Sequence, residues 1–119
     1  MAAEGYHEPY EKLTVATTDM HRAVRSLMEE FEAIDWYQQR VDATEDDELR
    51  AILAHNRDEE KEHAVMVLEW IRRRDPKIDA ELREYLFTEG SIVGRESASG
   101  KGSSEDPPPG AGIGSLKGR

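Results

Sequence analysis

The chain has 119 residues, a formal charge of −10, no cysteine and no apolar run of 18 residues. Its negative charge argues against a nucleic-acid partner, because phosphate binding needs clustered Lys and Arg. The lack of cysteine excludes thiolate metal sites, iron–sulfur clusters and disulfides, so any metal needs oxygen and imidazole ligands, and we expect a soluble intracellular protein without a membrane span.

Aromatic residues occupy only the first part of the chain. All Trp, Tyr and Phe residues lie at or before Phe87, whereas eight of the nine Gly follow it. We therefore predict one folded helical domain over residues 6–87 and a disordered tail after it. So short a domain buries only a thin core, which favours self-association.

The first predicted helix begins at Glu8-Pro9, with Pro at the first helical position, and runs to about Arg40. Apolar residues recur along it at steps of three and four: Leu13, Ala16, Met20, Val24, Leu27, Phe31 and Ile34. A neighbouring line with the same spacing consists of Ala23, Leu27, Glu30, Ile34 and Tyr37. This line places the carboxylate of Glu30 among apolar neighbours.

The second predicted helix begins where Thr44 and Asp47 resemble a capping box. Its apolar stripe reads Leu49, Ile52, Leu53, Asn56, Glu60, His63, Val67 and Trp70. Glu60 and His63 thus occupy positions that the periodicity would give to Leu or Val. Two long helices joined by a short loop form an antiparallel hairpin.

The second helix is predicted to end near Asp75, and Pro76 opens a short third helix that reaches about Phe87. The predicted fold class is therefore all-α, an antiparallel two-helix hairpin with a short C-terminal helix.

Glu60 and His63 form a Glu-x-x-His pair, and residues three apart share one face of a helix. A carboxylate-bridged di-metal site in a four-helix bundle takes a Glu from each of two helices and a Glu-x-x-His from each of the other two. With Glu30, this chain has half of that set. A two-fold dimer would supply six ligands and the two missing helices, so we predict such a dimer.

Other interpretations stay open at this point. Glu-x-x-His arises by chance in a chain that is 35% charged. Trp36 and Tyr37 fit the role of core or interface anchors, and Tyr37 could hydrogen-bond a metal ligand. Glu29 and Glu32 fit either a solvated surface or an outer patch that attracts cations. The rival functions are a metal-free helical adaptor and a di-metal oxygen carrier or peroxidase-like protein.

Residues 28–37, 55–63 and 85–90 together closely resemble the encapsulated ferritin family. The resemblance implies a half-ferritin subunit that forms a ferritin-like four-helix bundle on dimerisation and assembles as a homodecamer, a ring of five dimers. It further implies an iron-storage ferroxidase with a di-iron centre, packaged in the lumen of an encapsulin nanocompartment within the cytoplasm.

The resemblance also assigns residues by position. Glu30, Glu60 and His63 correspond to the ferroxidase ligands, with Tyr37 nearby and Glu60 bridging the two irons. Glu29, Glu32 and Trp36 fall where the family has a site through which metal enters.

The tail agrees with this resemblance. Residues 88–111 are rich in Gly, Ser, Pro and charge, which is typical of a flexible linker. Residues 112–119 place Ile113 and Leu116 three apart among Gly and Ser. By resemblance, this segment is an encapsulin-targeting peptide that binds the shell protein.

Overall fold

The computed structural model describes residues 5–99, and every regular element among them is helical. After a 3₁₀ turn (Tyr10–Lys12) come α1 (Val15–Ala43), α2 (Asp47–Arg74), α3 (Pro76–Tyr85) and α4 (Ile92–Ser99). The all-α prediction is therefore confirmed. The predicted segment 112–119 lies outside the described residues. The chain divides into two compact units, the first ending at Asp75 and the second beginning at Pro76.

The first long helix begins later than its sequence predicts. The Thr14 side chain accepts a hydrogen bond from the Thr17 N–H at 3.0 Å and caps α1, which starts at Val15. Pro9 precedes only the 3₁₀ turn. The predicted start at Glu8-Pro9 is wrong because Pro9 has no side-chain acceptor for the free N–H groups of the first helical turn, whereas Thr14 has one.

A three-residue loop joins α1 and α2. The Asp46 carboxylate accepts a hydrogen bond from the Leu49 N–H at 2.8 Å, so Asp46, and not Thr44, caps α2. Thr44 instead accepts from the Asp46 N–H at 3.2 Å. Arg50 closes the loop by donating hydrogen bonds to the carbonyls of Val41 and Thr44. Such a loop returns the chain as an antiparallel hairpin, as predicted.

The core of the hairpin is thin. Among the described residues, only Thr18, Ala64 and Ile71 are buried. Part of the predicted apolar stripe lies open instead, because two helices cannot cover both sides of it. Three side chains on one face of α1 are about half exposed: Val24 (40%), Met28 (53%) and Phe31 (56%). We call these three residues the apolar ridge.

The second unit contains α3 and α4. Pro76 is the first residue of α3, as predicted, and the helix ends at Tyr85. Phe87 then adopts φ 61°, a left-handed conformation at a position after a helix where Gly is the usual residue. For a non-Gly residue that conformation costs about 1–2 kcal/mol. The Phe87 side chain is fully exposed.

Part of the predicted linker is helical. The Ser91 hydroxyl accepts a hydrogen bond from the Gly94 N–H at 2.9 Å in the first turn of α4. Arg95 then ties α4 to α3 through the Glu84 carbonyl at 3.1 Å and the Glu84 carboxylate at 3.3 Å. A cap and one Arg thus order a segment whose composition favours flexibility. No helix in residues 5–99 is both long and apolar enough to cross a membrane.

Candidate metal centre

Two carboxylates and one imidazole meet near the middle of the hairpin. Glu30 lies halfway along α1, and Glu60 and His63 lie on one face of α2. The His63 Nδ1 atom is 3.3 Å from Glu60 Oε1 and 3.8 Å from Glu30 Oε1. One donor atom from each of the three residues lies within 4.8 Å of the other two. The antiparallel hairpin therefore brings the residues of the predicted half-site together.

A polar link across the hairpin fixes this register one turn away. The Arg57 guanidinium donates to Gln38 Oε1 at 2.9 Å, and its Nε donates to Asp58 at 2.9 Å. Gln38 in turn donates to Asp42 at 3.0 Å. The sequence analysis did not predict this link. The spacing could have indicated it, because Arg57 lies three residues before Glu60 and so shares the inner face of α2.

The pKa values of the two carboxyl groups move in opposite directions. The pKa of Glu30 is raised, first by a hydrogen bond to Glu60, then by partial burial and by the Glu60 charge. The pKa of Glu60 is lowered, because its carboxylate accepts hydrogen bonds from Glu30 and from His63. When the pair takes up one proton as pH falls, Glu30 therefore takes it first and Glu60 stays ionised.

The cluster is open to solvent on one side. The side chains of Glu30 and Glu60 are each 25% exposed, and that of His63 is 43% exposed. The apolar ridge lies on the α1 face next to that of Glu30, since successive helical positions turn by about 100°. Polar donors and exposed apolar groups therefore adjoin on one helix.

The other predicted site residues lie outside this cluster. The half-buried Tyr37 ring packs under the Arg40 guanidinium, whose central carbon is 5.3 Å from the ring centroid. Trp36 is 49% exposed and lines a groove of about 420 Å³ with Gln39, Arg40 and Ala43. Glu29 and Glu32 are exposed on α1. The negative charge of Glu29 contributes to the raised pKa of Glu30, which shows that the two carboxylates sense each other.

Comparison with known proteins identifies the family of this chain. The sequence profile of the EncFtn-like family matches residues 5–89. The chain is 59% identical to the encapsulated ferritin-like protein of Rhodospirillum rubrum, over 94% of this chain and 87% of that protein. It is 35% identical to the encapsulin nanocompartment cargo protein EncC of Myxococcus xanthus, over 84% of this chain and 86% of that protein.

A solved structure agrees with the fold. The crystal structure of protein ne0167 from Nitrosomonas europaea superposes with a TM-score of 0.72 at 65% sequence identity. It covers 74% of this chain and 97% of its own. A matching profile over most of the described residues and relatives of this identity leave one assignment: the chain belongs to the EncFtn-like family of encapsulated ferritin-like proteins.

Proposed function

We propose that this protein is a ferroxidase that oxidises Fe(II) to Fe(III) at a two-iron centre formed across a two-fold dimer. The observation that carries the proposal is the cluster of Glu30, Glu60 and His63, whose donor atoms lie within 4.8 Å of one another. The description of a 59% identical relative as an encapsulated ferritin-like protein supports the same conclusion.

The donors fit a transition-metal ion in both chemistry and spacing. Carboxylate oxygen and imidazole nitrogen lie about 2.0–2.2 Å from zinc, so two donors on one such ion are about 3–4 Å apart. The His63 distances of 3.3 Å and 3.8 Å fall in that interval. Iron takes the same oxygen and imidazole ligands, so the set fits iron as well as zinc.

Three donors do not complete the coordination of two ions. A second copy would double them to six, the number that two Glu and two Glu-x-x-His pairs provide in di-iron bundles. The same second copy would bury the apolar ridge. Burial of apolar surface contributes about 25 cal/mol per Å² to the free energy of association. One two-fold interface thus completes the site and covers the exposed side chains. The family resemblance extends this dimer to a ring of five.

Fe(II) is the substrate, and two ions together give two electrons to an oxidant such as O₂. Glu30 binds an ion in its ionised form, because metal ligands bind deprotonated, and a cation beside Glu60 favours that form. The carboxylates attract Fe(III) more strongly than Fe(II), since Coulomb energy rises with charge. On this proposal Glu60 would bridge the two ions. Tyr37 lies outside the cluster of the single chain, and we propose for it only a place near the assembled centre.

We also propose roles for the residues beyond the cluster. Glu29 and Glu32 are exposed carboxylates beside Glu30, so they raise the local concentration of cations, and Trp36 lies on the same helix. Residues 112–119 bind the encapsulin shell and place the enzyme in the compartment lumen, where the oxidised iron is stored. The description of EncC as a cargo protein supports packaging.

The test is Fe(II) oxidation in single-residue variants. Protein loaded with Fe(II) without oxygen is mixed with O₂, and the ultraviolet absorbance of Fe(III) is followed. We expect Glu30→Gln, Glu60→Gln and His63→Ala each to lose most of the activity while the helical circular dichroism is kept. His55→Ala and Glu62→Gln, at exposed positions of the same helix as Glu60, are the matched controls and retain full activity.

Native mass spectrometry with and without Fe(II) reports subunit and metal counts together. The proposal requires two irons per pair of subunits and their loss in the Glu60→Gln variant. Oxidation at the wild-type rate in all three ligand variants would refute it and favour the metal-free adaptor. Reversible oxygen binding without turnover would favour an oxygen carrier.

The targeting role of residues 112–119 has a separate test. We expect their deletion to abolish packaging in co-expressed shells and to leave the oxidation rate unchanged. Continued packaging would remove the targeting role.

A further inference from the structure

We draw no further inference here: the strongest candidate, the apolar groove that Ala23, Met66, Val67 and Trp70 line between α1 and α2, carries nothing because no feature of residues 5–99 shows what covers it.

Discussion

Replacing Glu30 by Gln should stabilise the metal-free protein while it abolishes metal binding. The raised pKa of Glu30 means that its ionised form is disfavoured beside Glu60. Gln keeps the shape and can still donate a hydrogen bond to the Glu60 carboxylate, yet it carries no charge. Stability and function should therefore respond in opposite directions at this position.

The gain can be worked from the geometry. Two unit charges 4.8 Å apart, the outer limit for the cluster atoms, repel by about 1 kcal/mol at the dielectric constant of water and about 2 kcal/mol at half that value. With a urea m-value of about 2 kcal/mol/M, the midpoint should rise by about 0.5–1 M. The measurement is urea unfolding at neutral pH in EDTA, followed by circular dichroism at one fixed protein concentration.

The stabilisation should depend on pH. A carboxyl group with a raised folded-state pKa stabilises the fold fully only below its unfolded pKa, and this stabilisation is lost as pH rises through the folded pKa. The advantage of Glu30→Gln should therefore be greatest at neutral pH and disappear in acid, where Glu30 is protonated in the wild type. Glu62→Gln, which removes an equal charge outside the cluster, controls for net charge. A gain that is absent, or that is the same in acid, would refute the reasoning.

Three further predictions concern the scaffold. Asp46→Ala removes the α2 cap and should cost about 1 kcal/mol in the free energy of unfolding by urea, with Fe(II) oxidation retained; unchanged stability would contradict the cap. Arg57→Met breaks the link to Gln38, so we expect a lower Tm and weaker metal binding by calorimetry, whereas Arg73→Met at an exposed position should spare the metal. Hydrogen bonds from Arg72 and Arg73 lower the pKa of Glu69 to about 2. Its contribution to the free energy of unfolding is therefore present above the ordinary pKa of 4.5 and lost as pH falls toward 2. Glu69→Gln should reduce the loss of stability between pH 4.5 and 2, measured by urea unfolding.

The hairpin and its central cluster could be predicted from sequence because two strong signals agree. Polar residues interrupt an otherwise apolar period at Glu30, Glu60 and His63, and a short loop forces the two helices to run antiparallel. The exact axial register could not be predicted, because it depends on links such as Arg57 to Gln38. Side-chain hydrogen bonds of this kind have no periodic signature.

The helix starts were predicted less well than the helices themselves. Thr14 and Asp46 are the caps, whereas Pro9 and Thr44 are not, because the cap is the residue whose side chain reaches the free N–H groups once the backbone is placed. Several Ser, Thr and Asp residues compete for that position in sequence. Likewise, the order of α4 depends on Arg95 meeting Glu84, a contact between helices that composition does not encode.

The thin core and the incomplete ligand set have one physical origin. A two-helix unit buries little apolar surface and offers only three donors, and the proposed dimer would remedy both at the same face. If iron binds the assembled form and not the separate subunits, mass action requires that it tighten assembly by RT ln(1 + [L]/Kd). Iron should therefore raise the stability of the wild-type protein and leave that of Glu30→Gln unchanged. Glu30→Gln, which is more stable than the wild type without metal, should then become the less stable of the two as Fe(II) is added. This reversal would show that metal binding and subunit association are coupled.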